Sequence, residues 1–234
     1  MSAYRPSPFA NLTPVVKNLL IINLICFLPY VLLSDHNYQV ITNWVGLSYF
    51  NSPNFKVWQF LTYMFFHGGW QHILFNMFAL FSFGPILEYS IGPKRFLNLY
   101  FICGIGAGIL QVVVQAFEVH AIIGSFTLYN GIQGLDQVAL TKLSAIYAYP
   151  VIGASGAIFG LLVAFGMLFP NMELMMLFIP VPVKAKYLIM VYIVLELYLG
   201  FAQYAGDNVA HFAHLGGALF GFILIKAWRL QRLQ

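Results

Sequence analysis

Long apolar runs, broken by short clusters of proline, glycine and charge, set the pattern of this chain. Six stretches approach or reach the about 20 mostly apolar residues that a membrane-crossing helix needs. They are Val15–Leu33, His72–Ser90, Phe96–Phe117, Ser155–Phe169, Tyr187–Gln203 and Val209–Trp228. The breaks between them carry turn chemistry: Gly92-Pro93, Pro150, Phe169-Pro170-Asn171, Pro180-Val181-Pro182 and Gly206-Asp207-Asn208. The pattern predicts an all-α membrane protein, a bundle of six helices. Residues 1–14 form a short N-terminal segment and residues 15–234 the membrane domain. Between the first two helices lies segment 34–71, rich in aromatic residues (Tyr38, Trp44, Tyr49, Phe50, Trp58, Tyr63 among them). Amphipathic rings settle in the headgroup zone, so this segment is expected to be a structured, partly embedded loop that braces the second span. No transporter-type internal repeat is visible.

Composition agrees. Of 234 residues, 61% are hydrophobic and 8% charged, against about 25% charged in soluble domains. No cleavable signal peptide precedes the first apolar run, so that run is expected to be kept as a span. Cys26 and Cys103 both lie in apolar stretches and read as small buried hydrophobes. Six spans place both termini on one side. Arg5, Lys17, Lys94, Arg95, Lys184, Lys186, Lys226, Arg229 and Arg232 fall on that side, and only Lys56 and Lys142 on the other. The positive-inside rule then makes the termini cytoplasmic. The net charge of +4 is spread over span ends and gives no nucleic-acid patch.

Polar groups inside a membrane are costly and therefore informative. His72 and Asn76 share one face of the second span, four residues apart. Ser155 opens the fourth span in Gly153-Ala154-Ser155-Gly156, and His214 lies early in the sixth. Alternating helix direction brings all four to the outward half of the bilayer. Gly156-Ala157-Ile158-Phe159-Gly160 and Gly217-Ala218-Leu219-Phe220-Gly221 are both small-xxx-small faces, which let helix backbones approach. If those faces meet, Ser155 and His214 come within hydrogen-bond reach. A serine needs a neighbouring base to become a nucleophile, and an oxyanion needs fixed donors. His214 fits the first need; His72, Asn76 and the Ser155 N–H fit the second. Gly153 and Gly156 leave room for a substrate backbone. No acidic residue stands near in sequence except Asp207, so the expectation is a serine–histidine dyad.

These motifs resemble those of the rhomboid intramembrane proteases, over nearly the whole chain and with a core from Trp58 to Gly221. The family's histidine and asparagine four apart appear as His72 and Asn76, with His67 preceding them. Its Gly-x-Ser-Gly motif appears as Gly153 to Gly156, and its Ala-His-x-x-Gly-x-x-x-Gly motif as Ala213 to Gly221. The resemblance implies a six-helix bundle whose short fourth helix starts inside the membrane in a watery cavity. It implies Ser155 as nucleophile, His214 as base, His72 and Asn76 at the oxyanion, and Phe159 stacked on the base. It implies membrane-spanning protein substrates cut at small residues, with no cofactor. Span five, loop 204–208 and Phe75 would form the gate. The chain departs from the family at Trp58-Gln59, where many members have Trp-Arg, and the loop is expected to brace the fold less well.

Other readings remain. Ser155 as a packing serine bonded to its own helix is one. A metal site at His67, His72, His211 and His214 is another, disfavoured because no carboxylate, thiolate or His-Glu-x-x-His motif accompanies them; no metal is expected. His211 is expected to line the cavity or to bond a loop carbonyl, and the stretch Met172 to Phe178 to form an interfacial connector between spans four and five. Glu196 sits inside span five without an evident partner; a transporter would use such a charge. Glu88, close to Lys94 and Arg95, is expected in an interfacial ion pair. A catalytically silent rhomboid-like binding factor is the alternative function, disfavoured because Ser155 and His214 are both present. A short chain without a targeting segment suits a bacterial inner membrane.

Overall fold

A computed structural model describes residues 12–128, 132–176, 179–202 and 209–232. Nine α-helices lie within them: α1 Pro14–Leu32, α2 Asp35–Val45, α3 Gln59–Thr62, α4 Trp70–Ile91, α5 Pro93–Ile123, α6 Gln137–Ala148, α7 Ser155–Leu168, α8 Ala185–Ala202 and α9 His211–Ala227. Among the described residues, α1, α4, α5 and α8 are long and apolar enough to cross a membrane, and α7 and α9 are shorter apolar helices. Each of these six overlaps one of the apolar stretches, with ends shifted by a few residues. The exception is α5, which runs on to Ile123. Large apolar side chains such as Leu32, Tyr89 and Phe201 stand exposed. An exposed surface of this kind is satisfied by lipid.

The core is a three-helix stack of α5, α7 and α9, built on missing side chains. A Cβ at Gly217 would lie 1.7 Å from the Gly156 carbonyl oxygen, and one at Gly221 would lie 2.5 Å from that of Gly160. The α7 and α9 backbones therefore touch directly. Gly160 similarly admits Cys103 of α5, and Gly106 of α5 admits the Phe220 ring. Lipid supplies no hydrophobic drive between helices, so close van der Waals packing of this kind holds them together.

Helix α1 attaches at its first turn. The Glu88 carboxylate of α4 accepts from the Thr13 hydroxyl and from the backbone N–H groups of Val15, at 3.1 Å, and Val16, at 2.9 Å. A helix N-terminus leaves such N–H groups unpaired and carries a partial positive charge. Glu88 answers both from a neighbouring helix. This corrects the expected ion pair with Lys94 and Arg95: the carboxylate serves as a cap. Gly92, at φ +83°, is the only residue between α4 and α5, and that left-handed conformation suits glycine.

The segment between α1 and α4 is folded around Gln59, which is fully buried. Its side-chain oxygen accepts from Ser48 N–H and Lys56 N–H, and its amide donates to the carbonyls of Asn43 and Asn54 at 3.0 and 2.9 Å. Trp58 stacks on Trp44 and donates to its carbonyl. The expectation that Trp58-Gln59 braces poorly is thus corrected, because a glutamine reaches four backbone groups at once. The segment then clasps the loop before α7. Leu47 and Val151 exchange two backbone bonds of 2.8 Å, and Gly153 N–H donates to the Tyr63 carbonyl. The Tyr63 hydroxyl donates to the Gly104 carbonyl of α5.

The methionine-rich stretch from Met172, expected to be an interfacial connector, enters a two-stranded hairpin. Strands β1 (Glu173–Met176) and β2 (Ile179–Lys184) pair antiparallel; Leu177 and Phe178 lie outside the described residues. Replacing Glu88 by alanine strips the α1 cap and leaves buried N–H groups unpaired, at a cost of about 2–3 kcal/mol. Thermal unfolding in detergent is expected to show a lowered midpoint for Glu88→Ala and a smaller drop for Glu88→Gln.

Candidate functional site

The four polar positions singled out above come from three elements. Ser155 is the first residue of α7, His214 lies in the first turn of α9, and His72 and Asn76 lie in the first two turns of α4. His214 Nε2 lies 2.7 Å from Ser155 Oγ, a contact made possible by the Gly156–Gly217 approach one residue past the serine and three past the histidine. The Phe159 ring stacks on the His214 imidazole, centroids 4.4 Å apart and planes within 7°. One turn of α7 separates Phe159 from Ser155, so the same helix supplies the hydroxyl and the plate that fixes the ring beside it.

Gly153, at φ +137°, turns the chain into α7. A Cβ there would lie 2.6 Å from His72 Nε2 and 3.6 Å from Ser155 Oγ. The bare glycine therefore leaves the imidazole edge of His72 close to the serine. His72 Nδ1 accepts from Gly68 N–H at 3.4 Å, which puts the ring proton on Nε2, the edge facing Gly153. Asn76 is buried, and its amide nitrogen Nδ2 has no acceptor among the described residues. As the first residue of a helix, Ser155 has an N–H without an intrahelical partner. The serine is thus flanked by donors awaiting an acceptor.

His67 packs edge-on against His72, ring centroids 4.9 Å apart. Burial, and then the neighbouring His72, push the His67 imidazole down to about 3. The ring is held by packing, and burial disfavours its charged form.

Glu196, which sequence reasoning left without a partner, proves to be bonded to His211. Glu196 on α8 reaches into α9: its Oε2 is hydrogen-bonded to His211 Nδ1 at 2.7 Å and stands 2.9 Å from His214 Nδ1. The first contact is a hydrogen bond, whereas the second is a close approach without a formed hydrogen bond. The Glu196 side chain is 13% exposed on a helix whose neighbouring residues, Leu195 and Leu197, are open. This corrects the expectation that no carboxylate accompanies the histidines. A helical stripe, Ile189, Ile193, Glu196 and Gly200, carried the signal, since that spacing marks one face. The three donor atoms lie within 4.8 Å of one another. Both imidazoles gather around one shared oxygen, and His211 is hydrogen-bonded to it. Asp207 and loop 204–208 lie outside the described residues. Phe75 is exposed on α4.

A polytopic membrane protein with a serine–histidine contact at a helix N-terminus is the class that fold and site define. The chain belongs to the rhomboid family: the model of the rhomboid domain matches residues 54–230. It is 29% identical over 216 residues to the putative rhomboid protease YdcA of Bacillus subtilis, covering 92% of this chain and 89% of that protein. It is 29% identical over 186 residues to the rhomboid protease AarA of Providencia stuartii, covering 74% of this chain and 56% of that protein. With the rhomboid protease GluP of Bacillus subtilis it shares 28% over 181 residues, 75% of this chain and 27% of that protein. The chain thus spans nearly the full length of one of these relatives and a smaller part of the other two. It is an integral membrane protein.

Two outcomes follow from this geometry. Gly217→Ala pushes a methyl into the Gly156 backbone and separates α7 from α9, costing about 3 kcal/mol or more. A lowered unfolding midpoint, together with a lengthened Ser155–His214 distance in a structure of the variant, is expected. His67 has its folded-state pKa below the ordinary value of 6.5, so the unfolded chain takes up the proton first. Its contribution is present above about pH 6.5 and lost as pH falls toward 3. Midpoints measured across that window are expected to fall more steeply for wild type than for His67→Leu.

Proposed function

We propose that this protein is an intramembrane serine endopeptidase, hydrolysing peptide bonds in or beside the membrane spans of other proteins. The observation that carries the reading is the 2.7 Å contact of Ser155 Oγ with His214 Nε2, set among unpaired donors at the start of α7. Relatives named rhomboid proteases add support.

In this reading His214 takes the Ser155 proton as the oxygen attacks the scissile carbonyl, then gives it to the leaving amine. The tetrahedral oxyanion is held by the Ser155 N–H, His72 Nε2–H and Asn76 Nδ2–H. Water then attacks the acyl-enzyme by the same route in reverse order. Gly153 and Gly156 keep the nucleophile open to a backbone, and Phe159 holds the base in plane. Helix length supports a site below the membrane surface. The 14 residues of α7 span about 21 Å, short of the about 30 Å hydrocarbon core. With the far end of α7 at one surface, Ser155 sits at depth. A substrate helix unwinds there to expose its carbonyls, since an intact helix hides them. Span α8 and Phe75 form the side through which it arrives. Nine basic residues on one side against two on the other support cytoplasmic termini and an outward-opening site, in a bacterial inner membrane.

Labelling of the detergent-solubilised protein with a fluorophosphonate probe tests this. Wild type is expected to label, and Ser155→Ala and His214→Ala to stay silent while folded. A folded wild type that does not label turns the reading into its alternative, a binding factor that holds membrane proteins without cutting them.

A further inference from the structure

A carboxylate inside an apolar helix is expensive unless something answers it, and what answers Glu196 is the far side of the base. His214 is engaged at both ring nitrogens: Nε2 meets Ser155 Oγ at 2.7 Å, and Nδ1 stands 2.9 Å from Glu196 Oε2. The stacked Phe159 ring fixes the plane, so these two directions are not free to rotate away. His211 binds the same oxygen at 2.7 Å and anchors the carboxylate against α9.

We infer that Glu196 is a positioning residue for His214, making a serine–histidine–glutamate triad in which the acid comes from α8 and is braced by His211. The inference rests on the proposed roles of Ser155 and His214. A carboxylate at Nδ1 selects the tautomer with its proton on Nδ1 and its lone pair on Nε2, the form that accepts the serine proton. When the Ser155 Oγ–H proton moves to Nε2, the imidazolium charge forms beside a fixed negative oxygen. The contact, not a formed hydrogen bond at rest, then becomes an ion pair. The Nδ1 proton stays where it is, the Nε2 proton passes to the leaving amine, and His214 returns to neutral, so no net charge is left behind.

The acid also reports where α8 is. Three of the 18 residues of α8 are buried, against eleven of the 31 of α5. Its inner face meets α9 through Glu196, through Gly200 against His211 and Phe212, and through the Phe201–Phe212 edge contact. An outward swing of α8 removes the carboxylate from the base, so the triad is complete only with the helix seated.

A purely structural Glu196 would pin α8 to α9 without affecting the chemistry. Fluorophosphonate inactivation kinetics separate the two, read as the limiting rate and the half-saturating probe concentration, with thermal midpoints alongside. For Glu196→Gln the limiting rate is expected to fall about a hundredfold or more, toward the roughly 10⁴-fold that loss of a triad acid's charge costs, with half-saturation changed less than about twofold. Glu196→Asp should recover part of that rate, because its charge remains. A Glu196→Gln protein that labels at the wild-type limiting rate while its midpoint drops overturns the triad. Should Glu196→Gln fail to fold, a wild-type limiting rate in Glu196→Ala overturns it equally. Ser155→Ala separates the two levels. If Ser155→Ala still labels, the nucleophile assignment has failed and takes the triad with it; if it is silent and Glu196→Gln is fast, only the triad has failed.

Discussion

The direct backbone contact of α7 with α9 is the constraint on which the site depends. Gly156 and Gly217 bring two helix axes closer than any side chain permits, and the serine and histidine sit just beside that contact. Had either helix carried a methyl there, the hydroxyl and the imidazole would stand apart by the thickness of that methyl, and no rotamer would restore a 2.7 Å contact. The glycines of α5 extend the same principle. They let α5 accept the Phe220 ring and the Met64 side chain, so that a third helix and the segment after α2 press on the same pair. In a bilayer, where apolar surface gains nothing by leaving lipid, this void-free packing replaces the hydrophobic core of a soluble protein.

Around that contact the remaining parts act as alignment. Gln59 gathers the turns of the segment between α1 and α4, and that segment in turn holds residues 151–153 by backbone bonds. The approach of the chain to Ser155 is therefore set by residues nearly one hundred positions earlier in sequence. Gly153 allows the sharp entry into α7 and leaves the His72 edge next to the serine. In the proposed reaction the donors around Ser155 are fixed before any substrate arrives, and fixed donors need no reorganisation when charge develops.

Much of this was legible in the residues, for identifiable reasons. The spans follow from apolar run length, because the bilayer demands it. Ser155, His72, Asn76 and His214 stood out because polar groups at depth are rare, and the glycine repeats beside two of them hinted at which helices meet. What escaped was everything decided by rotation and tilt. Glu196 had a visible helical stripe but no visible partner, since nothing in α8 says which face of α9 it meets. Glu88 looked paired with basic residues six and seven positions on, whereas its carboxylate points across to a helix more than seventy positions earlier. Gln59 looked like a weakened arginine; its value comes from four carbonyl and N–H groups whose convergence only the folded turn creates. The hairpin from Glu173 was hidden by prolines and methionines that read as an irregular link.

The Glu88 cap bears on the order in which the protein can be assembled. Ribosomal synthesis delivers Thr13, Val15 and Val16 well before Glu88, so the donors are already in the membrane when the acceptor emerges. A newly made α4 then carries a carboxylate with a waiting berth, and seating it draws the second span onto the first before α5, α7 and α9 exist. The bundle thus begins from an electrostatic latch between its two earliest long helices, and the glycine-lined contacts that shape the site close later onto a frame already in place.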